Sequence, residues 1–167
     1  MARRRPLSSY SDLTPIERAR KAREEMAELR EASLESLTTD SGWAAFLEAR
    51  IRHTYSWRNC ALIAHQRPGA LAVGTYSQHG AQGFQVQRDE RCIRITGRNP
   101  KGGFRTLKLF DICQTDARMD QLEDLGIGPV DDEVGELFAQ FPTPASAEDA
   151  KAQAEAVDAA TREEVAA

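Results

Sequence analysis

Cysteine is scarce in this chain: Cys60, Cys92 and Cys113 are an odd number at wide spacing in 167 residues. A disulfide framework or a CxxC zinc site would look different, so buried thiols are the reading. No apolar run approaches the roughly 20 residues of a spanning helix, and the basic start Met-Ala-Arg-Arg-Arg-Pro-Leu lacks the apolar region that a secretory signal needs. A cytoplasmic protein that stays off membranes is expected. HExxH, GxSxG and P-loop patterns are missing, and His53, His65 and His79 stand at no metal-ligand spacing. Cys60 and His65, five apart, are too weak a pattern to name a site. The expectation is therefore a protein that is not an enzyme and carries no metal or cofactor.

What is there is a strong segregation of charge. Residues 1–42 hold 8 basic and 8 acidic residues, residues 43–108 hold 11 and 3, and residues 109–167 hold 3 and 15. The formal net charge of −4 thus hides a middle segment of +8 and an acidic final segment of −12. A cationic stretch of this kind points to a polyanion partner.

Local signals divide the chain further. Residues 1–12 have the composition of an arginine-bearing arm. Thr14 as N-cap and Pro15 at the first helical position predict a charged helix to about Leu37, with a thin stripe of Ile16, Ala19, Met26 and Leu29. A second helix is predicted from Trp43 to about His53, since Trp43, Phe46, Leu47 and Ile51 share a face. A third runs from Ser56 to Gln66, with Ser56, Asn59, Ile63 and Gln66 on one side. The period then shortens: Leu71–Tyr76, Gln85–Arg88 and Cys92–Thr96 read as strands, and Asn99–Gly103 as a turn leading into a strand Phe104–Phe110. Val130–Phe141 is a predicted short helix. Ser146–Ala167 is helical on propensity, but its lack of a large apolar face leaves its packing in question. The fold class expected is α+β: N-terminal helices packed on a small, largely antiparallel sheet with a basic hairpin, plus C-terminal acidic helices. One domain with helical extensions is expected.

Single-stranded nucleic acid asks for cations along phosphates and flat side chains on which bases stack. The middle segment supplies both, with Tyr55, Trp57, Tyr76, Phe84 and Phe104 interleaved among its arginines and lysines. Asn59, Gln66 and Gln114 are open to two roles, reading base edges or sugar, or tying a helix to a strand. Trp43 and Phe110 continue apolar stripes and read as core.

Trp43-x-x-Phe46-Leu47, Tyr55-Ser56-x-x-Asn59-x-x-Leu62-Ile63-x-x-Gln66-x-Pro68-x-Ala70, Gly83-x-x-Val86, Ile93-x-Ile95 and Phe110-Asp111-x-x-Gln114-Thr115, in this order and spacing, resemble the N-terminal domain of the ArdC antirestriction family. The resemblance covers about residues 37–116. It implies a single-stranded DNA-binding domain of the kind found in plasmid, integrative-element and phage proteins that protect incoming DNA from host restriction. The candidate DNA contacts are Arg50, His53, Tyr55, Ser56, Arg58, Asn59, Gln66, Arg67, Arg88, Arg91, Lys101, Arg105, Gln114 and Thr115. His79 stands where family members commonly have Trp, and Arg88-Asp89-Glu90-Arg91 stands for a Lys-Gly-Glu-Lys-like turn. Full-length relatives continue into a zinc metalloprotease-like domain with HExxH, which these residues lack, so a stand-alone DNA-binding version is expected. A second reading makes the acidic final segment a DNA mimic that occupies a host restriction or defence protein. A third lets that segment fold back onto the basic surface and weaken its binding.

Overall fold

A computed structural model describes residues 12–166, with side chains described through Arg162. Most of the arginine arm expected over residues 1–12 lies outside the described residues. The fold is α+β, with seven α-helices and a three-stranded antiparallel sheet among the described residues.

Helix α1 (Pro15–Ser36) begins where its capping box does: Glu17 N–H donates to Thr14 Oγ1 (3.3 Å) and Thr14 N–H to Glu17 Oε2 (2.8 Å). The Thr14 backbone N–H, and after it the Thr14 hydroxyl, hold the Glu17 carboxyl below its usual range. The expected apolar stripe is shorter than its sequence pattern, because Ile16 is 83% exposed while Met26 is buried. Helix α2 (Asp40–Arg52) starts three residues before Trp43, since Thr39 accepts the Gly42 N–H and caps it. Gly42 lets the helices meet: a Cβ there would lie 1.9 Å from the Ser36 carbonyl oxygen. Helix α3 (Trp57–Gln66) is capped by Ser56, whose hydroxyl accepts the Asn59 N–H.

The sheet has the order β1-β3-β2, formed by β1 (Val73–Gly74), β2 (Ile93–Arg98) and β3 (Phe104–Asp111). The β2–β3 hairpin pairs Ile93 with Leu109 and Ile95 with Leu107, and its turn uses Gly102 (φ 97°) and Gly103 (φ 76°). Two expected strands are corrected. Leu71–Tyr76 contracts to two residues because Thr75-Tyr-Ser-Gln78 is a capping box that opens helix α4 (Tyr76–Ala81). Gln85–Arg88 contributes a single bridge, Val86 to Thr115.

Two apolar clusters hold these elements. One joins Met26 of α1, Leu62 and Ile63 of α3, and Ile93, Ile95 and Leu109 of the sheet. The other centres on Trp43, Phe46, Leu47 and Cys60. Trp43 donates its indole N–H to the Phe141 carbonyl (2.6 Å), just beyond α6 (Asp131–Gln140); a short α5 (Met119–Asp124) precedes it. The last helix, α7 (Ala147–Ala166), completes this cluster through Ala150, Ala154 and Val157, each fully buried at spacings of four and three. Small side chains at helical spacing let the backbones approach, so the doubt raised by its weak apolar face is resolved by close contact rather than by bulk.

Candidate nucleic-acid interface

The fold uses much of the polar apparatus of the middle segment internally. Arg50 is 7% exposed; its guanidinium donates to the Tyr55 carbonyl and to Thr161 Oγ1 (2.8 Å), and pairs with Asp158 Oδ1 at 3.1 Å. Asp158 is itself bridged to Arg162 at 2.9 Å. His53 is buried with Nε2 3.1 Å from the Ala70 carbonyl, and burial holds its pKa below 6.5. Burial likewise pushes the Cys60 thiol up, against the pull of Arg50. Tyr55 is half-buried between the two clusters, with its hydroxyl pKa raised by burial.

Asn59 and Gln66 hold the open edge of the sheet. Asn59 donates Nδ2–H to the Thr96 carbonyl (2.9 Å) and accepts the Thr96 N–H on Oδ1 (3.0 Å). Gln66 does the same for Arg94, at 2.8 and 2.9 Å. Arg94 and Thr96 are two apart on a strand, so their backbone groups face the same edge, and each amide takes the place of a residue of a missing strand. Two amides seven positions apart on α3 thus dock the helix along β2. Of their two sequence readings, the structure supports tying helix to strand.

The Phe110-Asp111-x-x-Gln114-Thr115 motif is a second internal knot. Asp111 Oδ1 accepts the N–H groups of Leu71 and Ala72, and Arg67 lies 3.6 Å from Oδ2. Gln114 accepts the Asp111 N–H and donates to Glu90 Oε2 and the Arg91 carbonyl. Thr115 donates to the Ile112 carbonyl at 2.6 Å. Arg50, His53, Gln114 and Thr115 are therefore buried framework rather than the surface contacts expected of them; Ser56, Asn59 and Gln66 have their polar atoms engaged within the fold. The gain is that Glu90 and Arg91 are anchored, and the preceding Asp89 makes a tight turn at φ 65°, a conformation that Asp tolerates. Arg88 and Arg91 are exposed on this turn. His79 is buried, with Nε2 2.8 Å from the Phe110 carbonyl.

Beyond the Asp89 turn, the exposed basic candidates fall in two places. Arg58 lies 4.6 Å over the Trp57 ring and 3.6 Å from Glu155 of α7, so its charge is already countered. The hairpin differs. Arg98, Lys101, Arg105 and Lys108 are exposed and form no ion pair among the described residues. Phe104, opposite Arg98 across the strands, is 74% exposed. A groove of about 250 Å³ runs between the hairpin and α1, lined by Arg23, Met26, Arg30, Thr96, Phe104 and Arg105. Arg30 reaches across it to Thr96 Oγ1 (3.3 Å). The α1 arginines were not among the expected site residues. Their spacing of seven, with Met26 between them, was the available signal.

A larger cavity of about 390 Å³ between α2, α6 and α7 has mixed charge, with Arg50 and Arg162 facing Glu133 and Glu136. Among the described residues no group of three or more His, Cys, Asp or Glu side chains could hold a metal ion, and no helix is long and apolar enough to cross a membrane. No protein-family model, curated protein or solved structure matches the chain.

Proposed function

We propose that this protein is a non-enzymatic, sequence-tolerant single-stranded DNA-binding protein of a plasmid, integrative element or phage that protects incoming DNA from host restriction. The observation that carries the binding is the hairpin: an aromatic ring left 74% exposed among Arg98, Lys101 and Arg105, which no carboxylate of the described residues neutralises. Exposed cations gain from replacing the counterions of phosphates, and an exposed ring gains from stacking on a base whatever its identity. Arg88 and Arg91, held out on the Asp89 turn, add two further charges for the strand. The biological role rests on the resemblance of residues 37–116 to the ArdC N-terminal domain. The amide docking and the Asp111–Gln114 knot give that motif set a reason to recur as a set, since each part fixes the position of another.

A second reading, DNA mimicry toward a host nuclease, is favoured by the exposed carboxylates of α6, where Asp131, Asp132 and Glu133 fill the first turn. Anisotropy with a labelled single-stranded oligonucleotide separates the two. Submicromolar to micromolar binding at low salt, competed better by single strands than by duplex, is expected. No binding at low salt would remove DNA binding and leave the carboxylate surface as the functional one.

A further inference from the structure

We infer that the groove between α1 and the β2–β3 hairpin seats one unpaired nucleotide, with Phe104 as the stacking platform and Arg23, Arg30 and Arg105 as the phosphate contacts. The inference rests on the single-strand reading and extends it to α1, which lies outside the stretch resembling ArdC. Three guanidinium groups line this groove and no carboxylate does, which fits an anion. One wall carries an aromatic ring and the floor a buried Met26, which fits a flat, largely apolar ring system. A ligand that joins a planar ring to a phosphate through a short linker satisfies both at once. Thr96 and Thr106 add hydroxyls at the rim. A base in a duplex offers only its edges, whereas an unpaired base offers a face, so the groove selects the single strand.

The geometry also supplies a control. Arg20 is exposed on the same helix as Arg23, but is paired with Glu24 and lies off the groove. Arg20→Ala and Arg23→Ala remove the same charge from α1. With a fluorescein-labelled thymidine oligonucleotide, Arg23→Ala is expected to weaken binding several-fold while Arg20→Ala stays near the parent, and Phe104→Ala is expected to lose roughly 5- to 150-fold. Photocrosslinking the parent protein to the same oligonucleotide carrying 5-iododeoxyuridine should label the peptide containing Phe104. Melting curves on each variant identify any that has lost its fold, and the crosslink needs no variant at all. If the parent binds but the label falls on Tyr55, Trp57 or Tyr76 and Arg23→Ala equals Arg20→Ala, the groove assignment is overturned and single-strand binding stands. If the parent does not bind, the single-strand reading fails with it.

Discussion

Two groups of basic side chains, both drawn from the same cationic stretch, meet opposite fates. On α2 and α3, Arg50 and Arg58 are met by Asp158 and Glu155 of α7, about a hundred residues further along the chain. On the hairpin, Arg98, Lys101 and Arg105 meet no carboxylate among the described residues. The acidic final segment therefore does fold back on the basic one, but among the described residues it leaves the hairpin cations uncovered. Local charge density identifies a candidate surface; the position of the compensating charge decides which part of it remains available to a polyanion. The pair at Arg50 is also structural in a way that a solvated pair is not, because a buried charge cannot lose its partner cheaply.

Breaking the comparison at its buried end has the largest expected effect. Arg50→Ala leaves Asp158 without its buried partner and the Tyr55 carbonyl without its donor, and should cost about 3–5 kcal/mol of unfolding free energy by denaturant titration. Asn59→Ala strips the Thr96 N–H and C=O of their partners and should cost roughly 1–3 kcal/mol. Its single-strand affinity at a temperature where it is folded should match the parent.

His53 sharpens the contrast by pH. Its folded pKa is below the ordinary 6.5 because burial disfavours the imidazolium, so protonation favours the unfolded chain. Its contribution is whole above pH 6.5 and is lost as pH falls from there toward the folded pKa. The melting temperature should drop over that interval, and a His53→Gln variant should show a flatter profile. The smallest effect belongs to the exposed pair: Glu155→Gln should shift stability by less than about 0.5 kcal/mol while freeing Arg58, and should tighten single-strand binding slightly at low salt.

Five of the seven helices among the described residues, the hairpin and its turn were legible because their signals are local: Thr14 as N-cap before Pro15, a stripe at Trp43, Phe46 and Leu47, and a turn of Asn, Pro and Gly. Helix α4 was not, because its Thr75–Gln78 box is embedded in apolar, strand-like sequence. The seating of α7 was hidden for another reason: Ala150 and Ala154 carry little hydrophobicity, and their value lies in fitting into the cluster that holds Trp43 and Phe46, which no window of sequence contains. That seating also means a truncation at Phe141 would expose the core as well as remove charge, so single carboxylate substitutions are the cleaner probe. The site was half visible. Its cations and its aromatic ring stand together in sequence, but Arg23 and Arg30 reach the groove only through the packing of α1, and the polar residues Asn59, Gln66 and Gln114 could not be assigned to framework until their partners on β2 and at Asp111 were in place.

The most direct test of the unpaired hairpin as the DNA surface is the salt dependence of single-strand affinity in the parent and in Arg98→Ala/Lys101→Ala/Arg105→Ala. Each neutralised phosphate contributes a slope of about −0.7 in log K against log salt concentration, so three lost contacts should flatten the line by about 2, with an unchanged melting temperature. A triple variant that folds normally and keeps the parent's slope would contradict the account.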